Sequence, residues 1–108
     1  MRLVILESPY AGNVEANIAY ARICVRDSLR RGEAPIASHL LYTQPGVLND
    51  EIASERQLGI DAGLAWRRVA DASVVYTDRG ISEGMRKGIE AALETGIPVE
   101  YRSIYGGA

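Results

Sequence analysis

The chain is 108 residues long, 47% hydrophobic and 24% charged, with a formal net charge of −2. That length holds one core and a single domain, expected to span residues 1–108. The charge excludes a protein held to nucleic acid by a basic face, and no apolar run reaches bilayer length, so neither nucleic acid nor membrane is an expected partner.

Arg2–Leu6 is a short run of branched apolar residues, the pattern of a strand covered on both faces. It breaks at Ser8-Pro9-Tyr10-Ala11-Gly12, and Asn13 then N-caps a helix running to about Arg31. Val14, Ile18, Ala21, Val25 and Leu29 share one stripe at helical spacing, and Gly32 is the stop. The sole cysteine, Cys24, has no disulfide partner and falls mid-helix, where a packed thiol is expected rather than a nucleophile. Ala34–Leu41 reads as a second strand or strand-plus-turn with His39 at its end. Tyr42–Asn49 reads as a loop turning at Pro45-Gly46.

Asp50–Ala70 reads as helix in two pieces, because Gly59 and Gly63 each weaken a helix by about 1 kcal/mol relative to alanine. Both glycines fall on one face, where another backbone can come close. Val74–Thr77 is a third strand, Ser82–Glu94 a helix capped near Gly96, and Val99–Arg102 a fourth strand before a frayed Gly106-Gly107-Ala108. Strands alternating with helices predict an α/β fold: a small, mainly parallel sheet of about four or five strands, helices on both faces, Rossmann- or flavodoxin-like.

In such a sheet, ligands sit beyond the carboxyl ends of the strands. Two segments reach that rim. The loop Glu7–Asn13 joins a strand to a helix N-terminus, so it presents free backbone N–H groups to an anion or a sugar oxygen, and Tyr10 can stack on a base or donate its hydroxyl. The same residues also suit an ordinary strand-to-helix connection. The segment Asp78-Arg79-Gly80-Ile81-Ser82-Glu83-Gly84 carries two carboxylates, with Gly80 and Gly84 allowing close approach of a ligand. Asp78 at a strand end is placed for ligand hydroxyls. Ser82 and Glu83 have a purely structural alternative, as N-cap and as an acid complementing the helix dipole.

His39, the single histidine, stands beside Tyr42 either as a crevice group or as a loop anchor. Met85 belongs to a core stripe with Ile89, Ala92 and Leu93, and Trp66 reads equally as core or subunit interface. Glu90 lies about 10 Å along the helix from Glu83, too far to share a bond with it. One histidine and one distant cysteine give no metal-ligand spacing, and no cofactor motif is present.

The opening ESPYAG, the segment SHLLYTQ and the turn-and-helix DRGISEGMRKGIE together resemble the nucleoside 2-deoxyribosyltransferase-like superfamily, in particular its small phage and bacterial members. The likeness extends over nearly the whole length. It implies binding of a deoxynucleoside or deoxynucleotide at the carboxyl edge of a parallel sheet. It further implies N-glycosidic cleavage in which a glutamate attacks C1′ and water or a second base resolves the intermediate. On that resemblance the sugar end falls on Ser8, Tyr10, Ala11 and Gly12, and the strand-end aspartate and glycine on Asp78 and Gly80. The superfamily's helical Glu-x-Gly, aligned on Gly88, puts Arg86 at the nucleophile's place. Either Glu83, one turn earlier, substitutes for it, or the pocket is kept without the reaction, and Arg86 suits a phosphate.

Two functions are therefore expected. One is a nucleoside or nucleotide N-glycosidase or deoxyribosyltransferase, with Glu83 as nucleophile, Asp78 orienting the sugar or base, Tyr10 steadying the nucleophile or the sugar, His39 assisting the leaving base, and Gly80, Ser82, Gly84 and Arg86 contacting substrate. The other is a nucleotide-binding protein that senses or sequesters its ligand. Either way the expected partner is a small nucleoside or nucleotide, in a cytoplasmic homo-oligomer without metal or cofactor.

Overall fold

The computed structural model describes residues 1–106, in which four strands alternate with four α-helices. Of the end expected to fray, Gly106-Gly107-Ala108, the last two residues lie outside the described residues. β1 (Arg2–Glu7) pairs in parallel with β2 (Glu33–Ile36) on one side and β3 (Ala72–Tyr76) on the other. β4 (Val99–Arg102) extends the sheet from β3, also in parallel, giving the order β2-β1-β3-β4.

Composition explains which strands are central. Every residue of β3 is buried, and Val4 and Leu6 of β1 are 1% exposed. β2 takes an edge, where Pro35 removes no ladder bond that the sheet needs. On one face, α1 (Val14–Arg30) packs Tyr20 and Cys24 against Val4, Leu6, Val74 and Tyr76. On the other, α4 (Glu83–Thr95) packs Met85 and Ile89 against Val75 and Val99. Asn13 caps α1 by accepting from the Ala16 amide at 3.3 Å, and Ser82 caps α4 by accepting from Met85 at the same distance. Gly96, at φ 79°, ends α4 in the left-handed region that glycine tolerates.

Three elements depart from the sequence expectation. The buried face of α1 is Asn17, Tyr20, Ala21, Cys24 and Ser28, while Val14 and Leu29 are exposed. The apolar stripe misled because the inward face carries polar groups with partners. Asn17 donates to the Tyr10 and Ala11 carbonyls, Tyr20 to Asp78, and Ser28 to Glu33. The second strand stops at Ile36, so His39 sits on a one-turn helix, α2 (Ser38–Leu41), rather than at a strand end. α3 (Ala53–Ala65) runs unbroken through Gly59 and Gly63 into a 3₁₀ turn, Trp66–Arg68. The glycines are tolerated because the space is taken: a Cβ on Gly63 would come 2.6 Å from the Ser38 hydroxyl, and one on Gly59 3.2 Å from Leu48. Trp66 is half-exposed and donates to the Tyr42 hydroxyl at 2.9 Å.

A buried ion pair ties the two edges of the sheet together. Arg102 of β4 grips Glu33 of β2 with both arms of its fork, at 2.7 and 2.6 Å, and Ser28 adds a bond at 2.8 Å. Those bonds, led by the one from Arg102, hold the Glu33 carboxyl down at about 2. Tyr76 bridges from Arg102 to Asp27 of α1, so the network also pins a helix. Removing Glu33 takes the bidentate partner from the buried Arg102 guanidinium and leaves it Glu100 at 3.1 Å and the Tyr76 hydroxyl, a loss of about 3 kcal/mol, the low end for breaking a buried pair. Glu33→Ala is expected to lose stability of that size in urea titration at pH 7. The wild type keeps this contribution above the ordinary carboxylate range and loses it as pH falls through about 2. A loss under 1 kcal/mol would show that the pair is solvated.

Candidate active site

The chain leaves β1 toward β2 and returns on the opposite side to β3, so the crossovers diverge at the carboxyl end of β1. That divergence opens a crevice in sheets of this order. A cleft of about 520 Å³ lies there, walled by the end of β1, by α2, by α3 and by the first half of α4. A second hollow of about 570 Å³ adjoins it and shares Tyr10, Thr43, Leu48, Asp50 and Glu55.

Strand periodicity decides what reaches the floor. Val4 and Leu6 face α1, so Ile5 and Glu7 face the α4 side, and both line the cleft. The Glu7 carboxyl abuts Gly88 of α4: a Cβ on Gly88 would stand 2.6 Å from its carboxyl carbon. Among the described residues, no hydrogen bond or ion pair engages the Glu7 carboxyl. Burial alone pushes it from 4.5 up to about 8, so it carries its proton at neutral pH. Beside it, Ser8 Oγ and His39 Nε2 are 2.7 Å apart. Burial lowers the His39 imidazole to about 4, which leaves it neutral at pH 7.

Of the residues singled out in the sequence, Ser8, Tyr10, Ala11, His39, Ser82, Glu83 and Gly84 line this cleft. Tyr10 is half-buried, and Asn17 holds its loop in place through the Tyr10 and Ala11 carbonyls, both at 3.0 Å. Glu83 stands exposed in the first turn of α4, at the mouth. Gly12, Asp78, Gly80 and Arg86 are not part of the lining.

Asp78 has a different set of contacts from the one its strand-end position suggests. Its carboxylate accepts from Tyr20 at 2.5 Å, from Ser103 at 2.6 Å, and from the Ile104 and Tyr105 amides at 2.9 and 3.0 Å. Burial opposes its ionisation, yet the bonds from Ile104, Ser103, Tyr20 and Tyr105 win and hold it well below the usual range. The carboxylate thus clamps the segment after β4 to α1. Arg86 is exposed on α4, and Gly80, at φ 81°, serves the turn that leads into that helix.

Glu7 entered the sequence reading only as the start of the first rim loop and Gly88 only as an alignment anchor, although alternation along RLVILE would have put a carboxylate on the ligand side of a central strand. The rim cations Arg56, Arg67 and Lys87 were likewise missed, since their loops and helices meet only in the folded chain. Among the described residues, no three His, Cys, Asp or Glu side chains stand together as metal ligands would.

The profile of the family described as "Domain of unknown function (DUF7768)" matches residues 2–102. No curated protein matches the chain. Among solved structures, a 2-deoxyribosyltransferase from the psychrotolerant bacterium Bacillus psychrosaccharolyticus is similar, with a TM-score of 0.68 and 19% identity. The alignment covers 98% of this chain and 75% of that one. At that identity the likeness shows a shared fold.

Because folding keeps Glu7 neutral, the folded chain holds a proton that the unfolded chain releases above about 4.5. Stability therefore declines as pH rises from that value through about 8, at about 1.4 kcal/mol per unit at most. Glu7→Gln removes the liability. In thermal melts it is expected to match wild type at pH 4 and to exceed it at pH 9. Parallel pH curves for the two proteins would mean that the carboxyl is well solvated.

Proposed function

This chain belongs to the DUF7768 family, and from that premise we propose that its cleft binds a nucleoside or nucleotide and cleaves the N-glycosidic bond. The observation that carries the reading is a pair of carboxyl groups in opposite environments on one cleft, Glu7 at the floor and Glu83 at the mouth. Such pairs divide acid and nucleophile roles between them. The fold shared with a 2-deoxyribosyltransferase and the location beyond a central strand support it. The cleft volume, about 520 Å³, is in the range of small-molecule sites.

Glu83, unencumbered at the start of α4, attacks C1′ as the C1′–N bond breaks and the electron pair leaves with the base. Water then attacks the same carbon and frees Glu83, which is the course of a retaining glycosidase. Tyr10 lies on the wall where a base stacks or a sugar hydroxyl is held. Neutral His39, fixed against Ser8, offers a hydrogen bond without a charge. Arg56, Arg67 and Lys87 on the lining suit a phosphate, which favours a nucleotide over a bare nucleoside. Asp78, outside the lining, has a structural part, tying Tyr20 of α1 to the segment after β4.

A second reading, binding without turnover, has one observation in its favour. The residue at the superfamily's helical glutamate is Arg86, outside the cleft. Chromatography of the products after incubation with each deoxynucleoside and deoxynucleotide separates the two. Release of free base by wild type, lowered by on the order of 100-fold or more in Glu83→Gln, is expected for the enzyme. Intact ligand throughout, with thermal stabilisation that grows with ligand concentration, would replace the enzyme by a binding protein.

A further inference from the structure

We propose that Glu7, reaching across from β1 into the space left by Gly88, is the acid that protonates the departing base, a step that rests on the cleavage reading above. The argument begins with how this chain treats its inward carboxyls. Glu33 accepts from Arg102, Arg2 and Ser28. Asp78 accepts from Tyr20, Ser103 and the Ile104 and Tyr105 amides. Both are thereby held ionised. Glu7, partly buried on the cleft floor, has no partner among the described residues, and desolvating a carboxyl without compensation is costly. A glutamine or an apolar residue would fill the same floor at lower cost. Retaining the carboxyl there marks a role toward whatever enters the cleft.

The space itself is made for it. Gly88 lies mid-helix, where glycine costs about 1 kcal/mol relative to alanine. Yet any side chain at 88 would run into the Glu7 carboxyl. Helix and strand are therefore matched at this contact, a bare backbone on α4 opposite a carboxyl on β1. Glu83 is five residues before Gly88, roughly 8 Å along the same helix at 1.5 Å per residue. A sugar carbon at Glu83 thus leaves the base extending toward the floor, where Glu7 is. The group is neutral at physiological pH, as a proton donor must be.

The step balances as follows. As the C1′–N bond breaks, its electron pair goes to the base, and the Glu7 O–H gives its proton to a ring nitrogen of that base. Glu83 forms the ester bond to C1′. Water then attacks C1′, returns a proton to the Glu7 carboxylate and expels the Glu83 carboxylate. The net change is water added across the glycosidic bond, with both acids regenerated.

The test compares deoxynucleotides with 4-nitrophenyl 2-deoxyriboside, whose leaving group departs as a stable anion and needs no proton. Glu7→Gln is expected to slow base release from deoxynucleotides by on the order of 100-fold or more. The same variant should keep the first-turnover burst of nitrophenolate within roughly 3-fold, since an acid assists only poor leaving groups, while later turnovers slow because water loses Glu7 as its base. Wild type should lose activity on deoxynucleotides as pH rises past about 8, and show no such limb with the nitrophenyl substrate. Gly88→Ala, which displaces the carboxyl without altering it, should reproduce the same substrate-selective loss and stands in if Glu7→Gln fails to fold. Base release by Glu7→Gln at the wild-type rate, or equal losses on both substrates in the first turnover, would overturn the assignment while leaving the cleavage reading intact. A covalent sugar adduct on Glu7 found by peptide mass spectrometry would overturn it too, making Glu7 the nucleophile. A wild type inert on every substrate would remove the cleavage reading itself, and this step with it.

Discussion

Parallel pairing of β1 with β2 on one side and β3 on the other is the constraint from which the cleft follows. Parallel neighbours cannot be joined by a tight turn, so each connection must cross the sheet on a face, and the two connections around β1 run in opposite senses. The crevice they leave is where β1 ends, at Glu7 and Ser8. Burial of every β3 residue keeps that arrangement in one register, because a slip of one residue would turn its side chains to the wrong face.

Four thin strands give a small sheet, and polar contacts supply much of its cross-linking. The Arg102–Glu33 pair spans from edge strand to edge strand, and Tyr76 carries the same network to Asp27 of α1. Asp78 does a parallel job at the other end, binding Tyr20 of α1 to the segment after β4. Both carboxylates are surrounded by donors, so each is held in its charged form. Glu7 is the exception, and its isolation is what turns a structural position into a chemical one.

The position of Glu7 also shows how a helix can matter through what it lacks. α4 buries Met85 and Ile89 on the sheet, which fixes its rotation and presents Gly84 and Gly88 to the cleft. With no side chain at 88, the helix can lie over the end of β1 while a carboxyl from that strand fills the gap. α3, whose Gly59 and Gly63 meet Leu48 and Ser38, forms the opposing wall by the same means. Glycines on two helices thus set the width of the cleft.

Much of the fold was legible in the residue order. RLVIL and the branched run before Thr77 could only be strands covered on both faces. Asn13, Ser82 and Gly96 marked helix ends by chemistry that acts within a few residues. The first-loop residues Ser8, Tyr10 and Ala11 and the helix start at Ser82–Gly84 were legible as rim positions for the same local reason. The inward face of α1 was not, because Asn17, Tyr20 and Ser28 look solvent-seeking until their partners from distant segments are in place. Asp78, likewise, was read from its position at a strand end, while its donors come from residues 103–105. By itself the sequence determined the alternation of strands and helices and the edge on which a ligand would sit, since those depend on hydrophobic period and capping. Only the tertiary structure decided which carboxyl stands unpaired on the cleft floor, because hydrogen-bond saturation and desolvation depend on groups far apart in the chain, such as the 69 residues between Glu33 and Arg102.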